Sequence, residues 1–168
     1  MGMLFKIFLA IVLVIFIIKF GWDIDTKNEL IAKELVYKHA KAWETGDIEI
    51  LSEILHEDVI FAYPGRRLNK QETLADLVDY NKSFKDTKIY ISKIIANGDD
   101  LAVEWQFAST SIKTGNRTAV SDAIIGNVKD GKIIVWKEYL DGRVSRMQAA
   151  GNLSLEEGEE PFPWPKKR

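Results

Sequence analysis

The chain has 168 residues, 46% of them hydrophobic and 29% charged, with a net charge of −2. This is the composition of one folded domain, not of a disordered chain. There is no cysteine, and the histidines are His39 and His56, so disulfides, thiolate nucleophiles, Fe–S clusters and multi-histidine metal sites are excluded. The basic clusters are Arg66-Arg67 and Lys166-Lys167-Arg168. They form no basic stripe, and no nucleic acid is expected as a partner.

An unbroken apolar run from Ile7 to Ile18 lies between Lys6 and Lys19. Lysines at both ends can snorkel, which brings the span to the short end of what a bilayer requires. The following Lys19-Phe-Gly-Trp-Asp23 lacks an A-x-A-like cleavage site. Residues 1–22 are therefore expected to be an uncleaved, single-pass membrane anchor, with a cleaved signal and a buried helix as the alternatives. The flanks leave orientation open, because Lys6 opposes Lys19, Lys27, Lys33 and Lys38.

Residues 26–150 read as the folded domain. Thr26-Lys-Asn-Glu29 is a capping box. Ala32, Leu35, Val36, Ala40 and Trp43 then recur with a helical period. Gly46 ends that helix, and Asp47 caps a second over Ile48 to Leu55. Val59 to Tyr63 reads as a strand stopped by Pro64-Gly65. Asn69-Lys-Gln-Glu72 caps a third helix, with Leu74, Leu77, Val78 and Phe84 on one face. The period then changes to 2, predicting strands over 87–97, 100–113, 116–128 and 132–141. Their turns are Asn97-Gly98-Asp99, Thr114-Gly115 and Lys129-Asp130-Gly131. The order predicts an α+β fold with helices on one face of a curved antiparallel sheet. Residues 151–168 form a Pro-rich tail in which Phe162 and Trp164 alternate with prolines. It reads either as a loose terminus or as a segment that docks on the domain or a partner.

Ala42-Trp-Glu-Thr-Gly46-Asp47-Ile-Glu-Ile-Leu51, followed by Leu55-His-Glu-Asp58-Val-Ile-Phe61, resembles the opening of SnoaL-like domains of the nuclear transport factor 2-like superfamily. Asp130-Gly131-Lys-Ile-Ile-Val-Trp136-Lys-Glu138-Tyr139-Leu-Asp141 resembles the last strand of the same group. The resemblance covers about residues 27–150. It implies a cone-shaped fold with a pocket between helices and sheet, often in a homodimer. It implies no single function, since members include polyketide cyclases, isomerases, epoxide hydrolases, dehydratases and non-enzymatic binding or assembly domains. In isomerase-like members a helix 1 tyrosine, an aspartate before proline and a protonated aspartate on the sheet fall here on His39, Tyr63 and the neighbourhood of Ile124. All three differ. The epoxide-hydrolase pattern fares little better: its Arg and Asp fall near Trp105 and Phe107, and only its second acid has a match, at Glu138.

Alternation along the strands assigns faces. The inner face should carry Trp105, Phe107, Val120, Asp122, Ile124, Trp136, Glu138 and Leu140. The tight turn at Thr114-Gly115 predicts Phe107 beside Asp122 and Trp105 beside Ile124, and a three-residue hairpin at Lys129-Asp130-Gly131 predicts Ile124 beside Trp136 and Asp122 directly opposite Glu138. Two carboxyls on an apolar wall cannot both ionise cheaply, so one should hold a proton and the two should form an acid/base pair. His39 and Trp43, four residues apart on helix 1, aim into the same cavity.

The candidate catalytic residues are thus His39, Asp122 and Glu138. The candidate ligand-binding residues are Trp43, Tyr63, Trp105, Phe107, Ile124, Trp136 and Leu140. With no G-x-S-x-G, Walker or G-x-G-x-x-G motif, no cofactor is expected, and no metal. Two readings of function follow. One is a membrane-tethered domain that binds a small apolar or aromatic molecule, with acid/base chemistry of isomerase, cyclase or hydrolase type. The other is a non-catalytic binding or assembly domain of a membrane-associated complex. An open cavity reaching Glu138 favours the first, and a cavity filled by Trp43, Trp105 and Trp136 favours the second. The outer face, with Glu104, Gln106, Ala123, Ile125, Val135, Lys137 and Tyr139, is the expected homodimer contact.

Overall fold

The computed structural model describes residues 27–153. The expected anchor, the Thr26 cap, and Phe162 and Trp164 of the tail lie outside the described residues. Among the described residues, no helix is long and apolar enough to cross a membrane.

Helix α1 runs through residues 27–45 and buries Ala32, Leu35, Val36, His39, Ala40 and Trp43. That stripe at spacings of three and four is the inner face the periodicity predicts. Gly46 stops the helix at φ +71°, and a Cβ there would collide with the Asn81 side chain. Glycine is therefore required by the left-handed backbone conformation. Asp47 caps α2 (Ile48–Ile54) by accepting from Ile50 N at 3.0 Å. Helix α3 (Lys70–Ser83) opens on a reciprocal capping box between Asn69 and Glu72.

The strands are β1 (Leu55–Tyr63), β2 (Arg66–Leu68), β3 (Phe84–Asn97), β4 (Asp100–Ser111), β5 (Arg117–Lys129) and β6 (Lys132–Leu140). They form one sheet in the order β2-β1-β6-β5-β4-β3. The sheet is mixed and not antiparallel throughout, because β1 and β6 run parallel. The segment β1–β2–α3 carries the chain round so that the β3–β6 meander ends alongside β1 in the same direction. Pro64-Gly65, with Gly65 at φ +83°, is a turn that returns the chain as β2, a strand the sequence pattern does not show. A fourth helix, α4 (Gly142–Ala149), follows β6 and packs against β5. It too goes beyond the predicted elements.

The register differs from the predicted one by two residues at each hairpin. Trp105 lies opposite Asp122, and Phe107 opposite Val120. Ile124 lies opposite Glu138, and Asp122 opposite Leu140. Asp122 and Glu138 are therefore diagonal neighbours and do not face each other directly. The cause is in the turns. The β4–β5 connection is a wider loop closed by Ser111 and Asn116, not a two-residue turn at Thr114-Gly115. The β5–β6 turn is a tight two-residue one, with Asp130 at φ 51° and Gly131 at φ 71°. An irregularity then shifts the ladder between Asn127 and Val128. A shift of two leaves side-chain parity unchanged, so every inner-face residue stays on the inner face.

Candidate functional site

Between α1, α3 and the sheet lies a cavity of about 420 Å³, the size of a small-molecule site. Helix α1 contributes His39 and Trp43, and β1 contributes Phe61 and Tyr63. Helix α3 adds Asp76, Tyr80 and Ser83. The sheet supplies Trp105, Phe107 and Ser109 from β4, Thr118, Val120 and Asp122 from β5, and Glu138 and Leu140 from β6. Phe84 and Ser145 complete the lining.

Of the sequence-predicted residues, His39, Trp43, Tyr63, Trp105, Phe107, Asp122, Glu138 and Leu140 all line this cavity. Ile124 and Trp136 do not. Both are fully buried in the core. Trp136 supports the wall from behind: its ring stacks on His39 at 4.1 Å, and its Nε1 donates to Glu138 Oε1 at 2.8 Å.

Asp122 accepts two N–H donors. Trp105 Nε1 reaches Oδ2 at 3.2 Å, and Tyr139 N reaches Oδ1 at 3.1 Å. The first bond follows from the observed register, which sets Trp105 opposite Asp122. Burial pushes the Asp122 carboxyl up to about 6, against the pull of these two donors. Glu138 has one donor. Burial, then the neighbouring Asp122 charge, pushes it up to about 8. Burial raises both carboxyls, and the two N–H donors on Asp122 against one on Glu138 favour the charge on Asp122 and the proton on Glu138.

His39 is 1% exposed, and neither of its ring nitrogens has a partner in the protein. Burial lowers it to about 3, so it is a neutral imidazole, able to give one hydrogen bond and accept another. Trp43 Nε1 is likewise buried without a partner. At the α3 side, Tyr63 donates its hydroxyl to Asp76 Oδ2 at 3.0 Å, and Arg66 lies 3.9 Å from the other carboxylate oxygen. Burial, followed by the bond to Asp76, raises Tyr63 to about 12.

Asp76 and Tyr80 went unread in the sequence, although they share a four-residue spacing on α3 beside the buried Leu77. Ser109 and Thr118 extend the parity of Phe107 and Val120 by one step and were equally within reach. Ser145 belongs to α4 and carried no signal.

Residues 36–136 match the family model described as SnoaL-like domain. The chain belongs to this family. No curated protein matches it. Among solved structures, the SnoaL-like domain is similar to an LEH-like epoxide hydrolase of M. tuberculosis, with 19% identity and a TM-score of 0.65 over 73% of this chain and 92% of that one. TsrD from Streptomyces laurentii gives 18% identity and a TM-score of 0.66 over 74% and 97% of the two chains. A protein of ketosteroid isomerase-like fold from Catenulispora acidiphila, solved with trimethylamine, gives 16% identity and 0.65 over 70% and 92%. At these identities the likeness establishes the fold, which is the α+β nuclear transport factor 2-like fold with a mixed six-stranded sheet.

Proposed function

We propose that this SnoaL-like domain encloses a small, largely apolar molecule and transfers a proton on it, with Asp122 as base and Glu138 as acid. One observation carries the reading: the cavity is open and reaches two neighbouring carboxyls whose surroundings push their protonation apart. An assembly domain has no need of such a pair, and Trp43 and Trp105, although buried, line the cavity without filling it. His39 serves here as a neutral hydrogen-bonding group, since burial keeps it uncharged. A carboxylate that takes a ring proton opens 5-nitrobenzisoxazole, a neutral planar aromatic. Its turnover should climb as pH rises through about 6, where Asp122 ionises, and Asp122→Asn should lose roughly 100-fold. Turnover that is unchanged by Asp122→Asn, or absent, refutes the assignment.

We also propose that residues 1–22 tether the domain to a membrane and that two copies pair through the outer sheet face. Ile125 and Tyr139 on that face are 53% and 54% exposed, whereas Gln106, also assigned to it, is buried. Carbonate extraction of membranes tests the tether. Light scattering of Ile125→Glu, expected to be monomeric where the parent is dimeric, tests the pairing.

A further inference from the structure

The sheet end of the cavity is acidic without a compensating base. Asp76, Asp122 and Glu138 line the cavity, and among the described residues no lysine or arginine does. Its walls are aromatic. Trp43, Tyr80 and Phe107 meet edge to face, with centroids 5.4 to 6.1 Å apart and planes at 74° to 80°. Phe84 stacks on Tyr80 at 4.9 Å and Phe61 lies parallel to Trp43 at 6.3 Å, so the aromatic wall offers the cavity ring edges and the uncovered parts of these faces. Aromatic faces and carboxylates share one preference: both attract a positive charge that has shed its water.

We infer that the ligand of this cavity is a cationic amine with an apolar body, seated against the aromatic faces with its charge toward Asp122 and Glu138. The inference rests on reading the cavity as a small-molecule site and adds the charge class of the molecule. An anion at the sheet end would meet Asp122 and Glu138 with no counter-charge, since Arg66 is engaged with Asp76. A neutral molecule would leave the Asp122–Glu138 repulsion where it is. A cation relieves that repulsion and lets both carboxyls ionise.

The groups facing the carboxyl pair are consistent with this. From α1 comes His39, neutral. From β1 comes Tyr63, protonated up to about 12, and from α3 come Asp76 and Tyr80, the latter raised by burial. Arg66 on β2 is engaged with Asp76 at 3.9 Å. Arg117 on β5 donates to Asp86 O at 2.8 Å and Thr110 Oγ1 at 3.1 Å. Helix α4 contributes Ser145, which carries no charge.

Cation binding therefore drives off the proton that Glu138 holds: a reacting ligand receives it from the acid, and an inert cation sends it to water. Three probes of matched shape test this on the full chain: benzyltrimethylammonium, its neutral isostere neopentylbenzene, and the anion phenylacetate. Binding is followed by quenching of tryptophan fluorescence and by calorimetry in two buffers of different ionisation heat. The cation should bind about tenfold or more tighter than the neutral probe at pH 8.5. Its affinity should rise about tenfold from pH 6.5 to 8.5 with release of up to one proton, since one pKa unit is tenfold in population. Phenylacetate should not bind. Glu138→Gln should abolish the proton release. Should that variant fail to fold by circular dichroism, the proton count of the parent protein still decides. Equal or tighter binding of neopentylbenzene, or cation binding with no proton released, overturns the inference and leaves the small-molecule reading intact. Failure of all three probes to bind overturns both.

Discussion

The two ends of the cavity hold carboxyl groups under opposite conditions. At the sheet, Asp122 and Glu138 have N–H donors from Trp105, Tyr139 and Trp136 but no cation, and burial raises both. At α3, Asp76 has a hydroxyl donor in Tyr63 and a guanidinium in Arg66. Residue type is nearly the same at the two ends. What differs is counter-charge and solvation, and these decide whether a carboxyl is a chemical group or a structural one. The first end stores a proton and the second stores a hydrogen bond.

The sharpest way to break this comparison is a pH series on Glu138→Gln. A raised carboxyl pKa means that the folded state holds a proton the unfolded state releases. For Glu138 that window runs from the unfolded 4.5 to about 8. Across it the parent protein loses up to roughly 1.4 kcal/mol per pH unit from this site. Asp122 adds the same trend between 3.8 and about 6. Glutamine keeps an oxygen for Trp136 Nε1 and removes the charge. The variant should be more stable than the parent by about 2–4 kcal/mol at pH 8 and nearly equal at pH 4.5, read from urea midpoints. A variant clearly less stable at pH 8 would mean that Glu138 is an ion-pair partner, and the contrast between the two ends would vanish.

His39→Phe sharpens the same comparison with a smaller effect. At the α3 end the polar atoms of Tyr63 and Asp76 are bonded, whereas both His39 nitrogens are buried and bare. An unsatisfied buried polar atom costs about 1–3 kcal/mol. Phenylalanine keeps the ring against Trp136 and removes that cost, so the variant should gain about 1 kcal/mol in urea unfolding while binding its ligand less well. A loss of several kcal/mol would show that the imidazole holds the fold together.

Much of this site was legible because side-chain parity survives errors of register. Trp105, Asp122 and Glu138 were assigned to one face by alternation alone, and a slip of two residues at each hairpin left them there. Their partners were not legible. Asp122 pairs with Trp105 because the loop after Ser111 is wider than Thr114-Gly115 suggests, and Gly115 marks a turn without fixing its length. The α1 stripe from Ala32 to Trp43 and the Asn69–Glu72 box were plain, since periodicity and caps are local. Strand β2 and helix α4 were not. The three residues of Arg66–Leu68 are too short to show a period, and Gln148 is the one buried residue of α4. That helix is fixed by polar contacts, Gln148 Oε1 with Ala119 N and Asn116 Nδ2 with Ala149 O, which leave no apolar pattern to read.

The smallest effect tests the structural end. Tyr63→Phe removes the hydroxyl bonded to Asp76 and nothing else, leaving Asp76 with Arg66. A single hydrogen bond to a carboxylate on a part-exposed rim should cost about 1 kcal/mol. Its pH behaviour is the informative part. Tyrosine ionises at 10 when unfolded and at about 12 here. This raised acid lowers stability only as pH climbs above 10, and between pH 5 and 8 its hydroxyl is protonated in both states. The loss should therefore be the same at pH 5 and pH 8, while Glu138→Gln changes by several-fold over that range. A Tyr63→Phe loss that grows by about 1 kcal/mol or more from pH 5 to 8 would tie the Tyr63 hydroxyl to the titration of Glu138. The cavity would then hold one connected network of three acids, and the division between its two ends would be wrong.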